Sequence, residues 1–281
     1  MRTFTFKSLF LTVLFMLLGS TAILAADDGL ITKQITLKLD EAGTLPNMIS
    51  YDQKNLITNL KIVGKINGTD LKFIREMAGS DFNRKETDGK LSILDLSDAK
   101  IVAGGEAYTS YIYNIYTSND KLGDYAFYGC SGLTSLTIPS SVTSIGERVF
   151  EGCSGLTSLT IPSGVTSIGY CAFSGCSGLT SIYVYTKKIP ELGYYVFDGC
   201  DAKNCTVYVP KGTIDDYKLS KFGYFENIVE FDATGIDKVA TSANVKEVSR
   251  YSVNGKRLSA PAKGLNIVKY SDGSVKKVVV Q

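Results

Sequence analysis

The chain contains no histidine and no tryptophan among its 281 residues. The absence of histidine excludes Ser–His and Cys–His nucleophile pairs, imidazole acid–base catalysis and the commonest metal ligand. An enzyme built from this sequence would have to act with carboxylates, lysine, tyrosine or cysteine alone. We therefore expect no catalytic residues, no cofactor and no metal ligand, and a protein that is not an enzyme.

An excess of charge is also missing from most of the chain. There are 30 Lys and Arg against 28 Asp and Glu, and two of the basic residues, Arg2 and Lys7, lie in the first segment. A neutral body offers no basic stripe, so no nucleic-acid partner is expected. Residues 245–281 differ, because eight basic and two acidic residues give them a net charge of +6. That asymmetry indicates a separate C-terminal module.

The chain has one long apolar run, at residues 9–18, and no later run long enough to cross a membrane. Arg2 and Lys7 flank its start, and small residues follow as far as Ala25. This three-part pattern predicts a secretory signal peptide over residues 1–25 that is cleaved near Ala25. The alternative is an uncleaved N-terminal anchor. After cleavage no transmembrane span would remain.

The middle of the chain repeats itself, which decides the fold class before any other pattern does. Residues 131–153 and 154–176 are identical at 18 of 23 positions, and a looser copy follows at 177–200. Within a copy, Leu136 and Ile138 alternate with polar residues, as in a β-strand, and Pro139 ends the strand. Such units bury their apolar edge only by stacking. The sequence therefore predicts a solenoid with a parallel β ladder and irregular or short helical return segments.

The phrase LTSLTIPSSVTSIGERVFEGC resembles the repeat of the BspA-like leucine-rich repeat surface proteins of Gram-negative bacteria. The resemblance covers about residues 57–231. Degenerate copies lie at 57–62 and 91–96, a short helix at 69–79 separates them, and 207–231 resembles the terminal cap, with a last strand and then a helix begun by Thr213. The resemblance implies a leucine-rich repeat solenoid and a secreted or cell-surface recognition role, without catalytic residues.

The pattern changes after about residue 232. Asn254-Gly255 and Asp272-Gly273 are hairpin signals, and alternating apolar residues surround them, which predicts a small antiparallel β module. This segment resembles the C-terminal sorting domains of type IX secretion substrates. The predicted domains are the signal peptide (1–25), an N-terminal cap with degenerate repeats (26–120), leucine-rich repeats with a C-terminal cap (121–231), and the basic β module (232–281).

The six cysteines allow more than one interpretation. Four recur once per repeat, which favours a buried ladder of free thiols at Cys130, Cys153, Cys176 and Cys200. Cys171 lies off this register and is expected to face outward, and Cys200–Cys205 is the one pair expected to be able to form a disulfide. A zinc site is the alternative, with four thiolates from Cys171, Cys176, Cys200 and Cys205.

Residues that alternate with the core positions point out of the ladder. In the last copies these include Tyr183 and Tyr208, with Ser181 and Thr206 beside them. A second tyrosine cluster lies in an insertion, at Tyr108, Tyr111, Tyr113 and Tyr116. Tyrosine offers a rigid contact surface with a polar tip, so both sets are candidate ligand-binding residues. The alternative is that these tyrosines only pack over loop backbone.

These patterns predict a non-catalytic recognition or adhesion protein, secreted or on the outer surface of a Gram-negative bacterium. Its ligand would be an extracellular host or matrix protein, bound through the solenoid face. The alternative is a carbohydrate-binding protein of a nutrient-uptake system, and a third hypothesis is a cell-wall-active enzyme. The sequence leaves the oligomeric state open.

Overall fold

The computed structural model describes residues 29–231 and four later strands within residues 247–280. The chain divides into two compact units, Met1–Ala233 and Thr234–Gln281. The predicted signal peptide and its cleavage site lie outside the described residues. Within the part of the chain that is described, no helix is long and apolar enough to cross a membrane.

The first unit is built from fifteen described strands, most of them short. In chain order they are β1 Ile35–Leu39, β2 Asn59–Ile66, β3 Ile93–Asp95, β4 Ala99–Ile101, β5 Gly104–Ser110, β6 Asn114–Thr117, β7 Lys121–Leu122, β8 Ser135–Thr137, β9 Ser144–Ile145, β10 Ser158–Ile161, β11 Ser167–Ile168, β12 Ser181–Val184, β13 Glu191–Leu192, β14 Thr206–Pro210 and β15 Asn227–Phe231.

The main sheet is parallel and follows the order β1-β2-β3-β8-β10-β12-β14-β15, with β4 pairing to the far end of β2. Its register places equivalent repeat positions side by side: Leu136 faces Leu94 on one neighbour and Leu159 on the other. These side chains are buried. The repeat solenoid with a parallel ladder is confirmed, and the segments 57–62 and 91–96 contribute to β2 and β3 of that ladder.

A second parallel sheet runs through the return segments, in the order β13-β11-β9-β7. Each of its strands has two residues, and the second of them points inward, as Ile145 and Ile168 do. Sequence reasoning expected irregular or short helical returns here. It missed this sheet because two residues are too few to show an alternating pattern.

The repeats are closed on the inside by two columns of side chains. Phe127, Phe150 and Phe173 stack with ring centroids 5.6 and 5.4 Å apart. Beside them the cysteines form the expected ladder, in which the thiol of Cys153 donates to the Phe127 carbonyl and that of Cys176 to the Phe150 carbonyl, both at 3.1 Å. Each turn therefore packs on the next through the same pair of contacts.

The N-terminal region adds two single-turn helices, α1 Leu45–Met48 and α2 Tyr51–Lys54, and the longer α3 Gly68–Met77. Asn67 caps α3 by accepting from the Thr69 N–H at 3.0 Å, and Asp70 accepts in return from the Asn67 N–H at 2.9 Å. This capping box explains why the predicted helix begins where it does. The strands β5 and β6 follow as an antiparallel hairpin.

The C-terminal end of the solenoid is closed by α4 Ile214–Leu219, a 3-10 helix Lys221–Tyr224 and β15. The helix begins after Thr213, as expected. The Thr213 hydroxyl does not cap it, because it donates to the Pro210 carbonyl at 2.7 Å. Glu230 takes that role, since its carboxylate accepts from the N–H groups of Gly212 and Ile214 at 2.8 and 3.3 Å.

The second unit contains four antiparallel strands, β16 Glu247–Ser252, β17 Arg257–Leu258, β18 Gly264–Tyr270 and β19 Val275–Val280. They pair in the order β17-β16-β18-β19. The small antiparallel sheet is therefore confirmed. The turn residues Asn254-Gly255 and Asp272-Gly273 lie outside the described residues.

Candidate functional site

The outward side of the main sheet carries columns of side chains that change in character along the solenoid. One column runs through Lys61, Asp95, Thr137, Thr160, Tyr183, Tyr208 and Val229. The column beside it runs through Asn59, Ile93, Ser135, Ser158, Ser181, Thr206 and Asn227. The face is thus charged at one end, small and hydroxylated in the middle, and aromatic at the other end.

The charged end is an ion-pair cluster. The Lys61 ammonium lies 2.7 Å from the Asp98 carboxylate and 3.1 Å from that of Asp95. The hydrogen bond with Asp98 raises the pKa of Lys61 above its ordinary value, against the lowering effect of burial. These charges satisfy one another, so this end of the face has little left to offer a ligand.

At the aromatic end, Tyr183 and Tyr208 lie on neighbouring strands, and their rings stack 4.5 Å apart at an interplanar angle of 8°. The Phe231 ring meets Tyr183 edge-on at 6.2 Å and Tyr185 edge-on at 5.1 Å. We call Tyr183, Tyr185, Tyr208 and Phe231 the aromatic patch. All four side chains are half-buried, so they fix one another while part of each stays in contact with solvent.

The geometry of the Tyr183–Tyr208 pair limits what it can bind. Parallel rings on neighbouring strands cover each other's inner faces, so the pair presents ring edges and hydroxyl groups outward. A flat apolar platform, on which a sugar ring or an extended peptide could lie, would need the two rings side by side. The rings of Tyr183 and Tyr208 are instead stacked on each other, so the pair offers no such platform.

The structure extends the aromatic patch beyond the sequence prediction. Tyr185 and Phe231 were missed because Tyr185 follows the last residue of β12 and Phe231 is the last residue of β15, with Pro210 paired to Phe231. The signal was present as an aromatic residue two positions beyond Tyr183. Ser181 and Thr206 are paired in the neighbouring column, where the alternation places them.

Tyr108 does not belong to any surface site. Its side chain is 0% exposed, and its hydroxyl donates to the Asp124 carbonyl at 2.7 Å. Burial raises the pKa of this phenol well above its usual value. The prediction that Tyr108 contacts a ligand is wrong, because the hairpin folds this residue into the solenoid core while its other tyrosines remain outside.

Tyr111 and Tyr113, in contrast, are 54% and 67% exposed, and Tyr116 is exposed as well. Tyr111 stacks on Tyr125 at 5.2 Å and packs under the Arg84 guanidinium at 4.7 Å. The hairpin therefore presents tyrosine rings separately from the aromatic patch, and the structure does not bring the two predicted sets together.

All six cysteines are buried free thiols. Burial raises the pKa of Cys130 to about 11 and that of Cys200 to about 12. The outward placement predicted for Cys171 is wrong, because its side chain is only 7% exposed. It occupies the same turn position as Arg148 and Tyr195, and all three residues have a positive φ. Cys200 and Cys205 are not bridged.

No group of three or more metal-ligating side chains occurs among the residues that the structure describes. Cys176 and Cys200 of the alternative zinc set instead donate their thiols to the carbonyls of Phe150 and Phe173, at 3.1 and 3.3 Å. Burial also raises the pKa of both thiols, which disfavours the thiolate form that zinc requires.

Residues 109–225 match the family model of the BspA type leucine-rich repeat region in six copies. This part of the chain is therefore similar to a BspA-type leucine-rich repeat region. A leucine-rich repeat protein from Bacteroides ovatus, known from a crystal structure, is similar over 63% of this chain and 49% of that chain, with 21% identity and a TM-score of 0.34. The chain thus spans about half the length of that protein. No curated protein matches the chain.

The leucine-rich repeat region contains most of the aromatic patch and the whole β5–β6 hairpin tip. Tyr183, Tyr185 and Tyr208 lie inside the matched residues, whereas Phe231 lies beyond them. The last ring of the patch is therefore supplied by the C-terminal cap. A ligand that contacts the whole patch would touch both the repeats and the strand that closes them.

Proposed function

We propose that this chain is an exported, non-catalytic recognition protein of the bacterial surface that binds an extracellular host or matrix protein. The contact would centre on the aromatic patch, with Ser181 and Thr206 beside it. The coarser part of this proposal is supported by the BspA-type repeats, a family of surface proteins that bind proteins. The ligand and the contact residues are our inference.

The observation that carries the proposal is the local change in the strand face. In the middle turns the outward positions are Ser135, Thr137, Ser158 and Thr160, which any solvated strand would tolerate. In the last turns the same positions hold stacked tyrosines with a phenylalanine at their edge. Aromatic side chains that are held in place, half-buried and ringed by hydroxyl groups are typical of the energetic centre of protein interfaces.

The ring geometry favours a protein ligand over the carbohydrate alternative at this face. Sugar rings bind against open aromatic faces, and the inner faces of Tyr183 and Tyr208 are covered by each other. Ring edges and phenol hydroxyls suit an uneven protein surface with its own donors and acceptors. The strand face therefore supports the adhesion hypothesis better than the nutrient-uptake hypothesis.

The test is binding of the mature chain to immobilised collagen, fibronectin, laminin and fibrinogen, measured by interferometry. Replacing Tyr183 and Tyr208 together by alanine should weaken binding to the captured protein by at least about 2 kcal/mol. The matched control replaces Ser135 and Ser158, which are outward residues of earlier turns, and should change binding little. Both variants should melt like the parent, because outward side chains contribute little to the core.

The proposal would be overturned if the double tyrosine variant binds normally while Tyr111→Ala with Tyr113→Ala abolishes binding. The hairpin would then be the site and the strand face only a scaffold. Capture of none of the matrix proteins, together with binding to glycans by way of the strand face, would favour the carbohydrate-uptake hypothesis.

Export and sorting are further parts of the proposal, and they rest on the sequence. The 9–18 apolar run with its small-residue flank supports cleavage near Ala25, which N-terminal sequencing of exported protein tests directly. The +6 charge of residues 245–281 and the resemblance to type IX sorting domains support a sorting role for the second unit. Deletion from residue 233 onward should then leave the solenoid folded but reduce surface display.

A further inference from the structure

A trough of about 760 Å³ runs along the second sheet, away from the strand face on which the proposed function rests. Its floor is formed by β7, β9, β11 and β13, and three spacings between neighbouring strands give it a length of about 14 Å. The β5–β6 hairpin contributes Tyr116 at one end, and Lys221 of the C-terminal cap lies at the other. The trough is therefore a separate concave surface, bounded at its two ends by Tyr116 and Lys221.

The floor of the trough carries small groups in its middle turns. Ser144 and Ser167 are the outward residues of β9 and β11, and Gly146 and Gly169 follow them. A Cβ on Gly169 would come within 2.6 Å of the Gly146 backbone, so the stacking of turns demands glycine there. At these four positions of the two middle turns no side chain is larger than a hydroxymethyl group, so a ligand can approach the backbone closely there.

Tyr194 lines one end of the trough, and its ring is held in an orientation that allows a ligand to stack on it. Its side chain is 74% exposed, although the Lys221 ammonium lies 4.6 Å from the ring centroid and covers one face. That ammonium donates to the carbonyls of Leu192 and Gly193, both at 2.6 Å, and is thereby fixed in position. A ring held on one face by an anchored cation keeps its other face open to solvent, at low entropic cost for binding.

The polar groups around the floor suit a ligand rich in hydroxyl groups. Glu147 and Glu191 are exposed carboxylates along the trough, and Lys121 is an exposed ammonium at the hairpin end. Carboxylates accept from ligand hydroxyls, whereas serine hydroxyls both donate and accept. An open aromatic face beside such groups is the combination of apolar contact and orienting polar contact that small-ligand sites use.

An extended peptide fits the trough less well. The backbone N–H groups along the floor are already used between turns: Gly146 donates to the Leu122 carbonyl and Gly169 to the Ile145 carbonyl, both at 2.8 Å. A peptide could therefore not add to this sheet through main-chain hydrogen bonds, which supply most of the affinity of strand addition. We propose that the trough is a second binding site, which takes a short linear oligosaccharide with one sugar stacked on Tyr194.

The test uses the mature chain on an array of cello-, chito-, xylo-, malto- and uronic acid oligosaccharides of three to six units, followed by calorimetry on those that bind. At least one oligosaccharide should bind with a Kd below about 1 mM. Tyr194→Ala should weaken it at least about tenfold, and Tyr194→Phe should retain most of the affinity, because the stacking ring is kept.

Tyr51 provides the matched control. It is 78% exposed, and the Lys54 ammonium lies 4.4 Å from its ring centroid, so it repeats the Tyr194 arrangement in the N-terminal region. Tyr51→Ala should leave sugar binding unchanged, and all three variants should melt like the parent. The inference is overturned if no oligosaccharide binds, if binding survives Tyr194→Ala, or if extended peptides and no sugars protect Tyr194 from oxidation. Matrix-protein binding through the aromatic patch is scored separately and does not depend on this outcome.

Discussion

Residues 121–200 and residues 29–120 share the main parallel sheet, but their turns are held together by different contacts. In the repeats the Phe127–Phe150 stack at 5.6 Å recurs as Phe150–Phe173 at 5.4 Å, and the thiol–carbonyl hydrogen bonds recur with it. In the N-terminal region the hydroxyl-to-carbonyl hydrogen bonds of Thr58 and Ser92 also recur, but the hydrogen bonds of Arg75 are made once. The comparison shows that repetition lets one apolar contact serve every turn, whereas an irregular start to the solenoid needs individual polar contacts.

Arg75 is the clearest of those individual contacts. It is 0% exposed, and its guanidinium donates to the carbonyls of Tyr125 and Ala126 at 2.6 and 2.9 Å, joining α3 to the first repeat turn. It also donates to Ser80 Oγ and the Asp81 carbonyl, both at 3.2 Å. Its Nε has no partner among the described residues. One charged side chain thus does at this junction what the Phe and Cys columns do between repeats.

The largest expected effect is alkaline destabilisation of the repeats. Burial raises the pKa of Cys130 to about 11 and moves that of Cys153 and Cys176 in the same direction. A raised folded pKa means stability that is present below the ordinary thiol pKa and lost as pH rises toward the folded value. Between about pH 9 and pH 11 the free energy of unfolding should fall by up to about 1.4 kcal/mol per pH unit for each thiol.

Denaturant unfolding at a series of pH values measures this slope. The variant with Cys153→Ala and Cys176→Ala should be less stable at pH 7 but show a shallower alkaline slope. In the parent, alkylation of Cys130, Cys153 and Cys176 should be slow under native conditions. Alkylation of Cys171 should be slow as well, because this residue is buried. An unchanged slope in the double variant, or a mapped Cys130–Cys153 disulfide, would contradict the thiol ladder.

The next effect is loss of a ring from the phenylalanine column. Phe150→Ala removes a fully buried side chain that stacks on both neighbours, so it should cost about 3–5 kcal/mol in chemical denaturation. Phe173→Ala should cost a similar amount, because the contact is the same one turn later. Phe150→Leu keeps most of the volume and should cost much less. If the losses in the free energy of unfolding differ greatly between Phe150→Ala and Phe173→Ala, the two stacking contacts are not equivalent.

Arg75→Met should destabilise by about 2–3 kcal/mol, since the Ala126 carbonyl loses the guanidinium donor while the side-chain volume is largely kept. The damage should be local: proteolysis should first cut near α3 and leave the repeats intact. Lys72→Met removes a surface ion pair with Glu106 and a cation–π contact with Phe82, and it serves as the control, with less than about 1 kcal/mol expected. Equal losses for the two variants would show that the junction does not depend on Arg75.

The smallest effect concerns the charged end of the strand face. Burial alone would raise the pKa of Asp95, but hydrogen bonds from Ser97 and Lys61 outweigh it and hold the pKa below its usual range. Stability from such a group is present above the unfolded pKa and lost as pH falls through the folded pKa. Asp95→Asn should cost less than about 1 kcal/mol at pH 7 and nothing near about pH 2. Asp40→Asn, at an exposed pair with Lys38, should cost nothing measurable at either pH.

The same contrast explains what could be predicted from the sequence. The Leu136, Leu159 and Ile182 column was predictable because three similar copies align it, and the Cys and Phe columns follow from the same period. The buried positions of Arg75 and Tyr108 were not, because each occurs once and the residue type alone favours the surface. The prediction that Cys171 faces outward was wrong for a related reason. Its equivalents in the other copies, Arg148 and Tyr195, are long polar residues, and the repeat pattern does not show whether a short side chain at this position is buried.

The candidate site divides in the same way. The alternating pattern correctly predicts that Tyr183 and Tyr208 lie side by side on neighbouring strands. It does not give the orientation of their rings, which determines whether a ligand meets ring faces or ring edges. Phe231 reaches the aromatic patch from the C-terminal cap, through a strand that the sequence did not separate from the preceding helix. The C-terminal cap occurs once in the chain, so its contacts with the repeats cannot be predicted from the repeat period.

The most direct test of the central claim is hydroxyl-radical footprinting of the mature chain, alone and bound to the matrix protein that it captures. We expect reduced oxidation of Tyr183, Tyr208 and Phe231 in the complex, and unchanged oxidation of Tyr51 in the N-terminal region. Protection confined to Tyr111 and Tyr113 on the hairpin, with the aromatic patch oxidised as in the free protein, would contradict it.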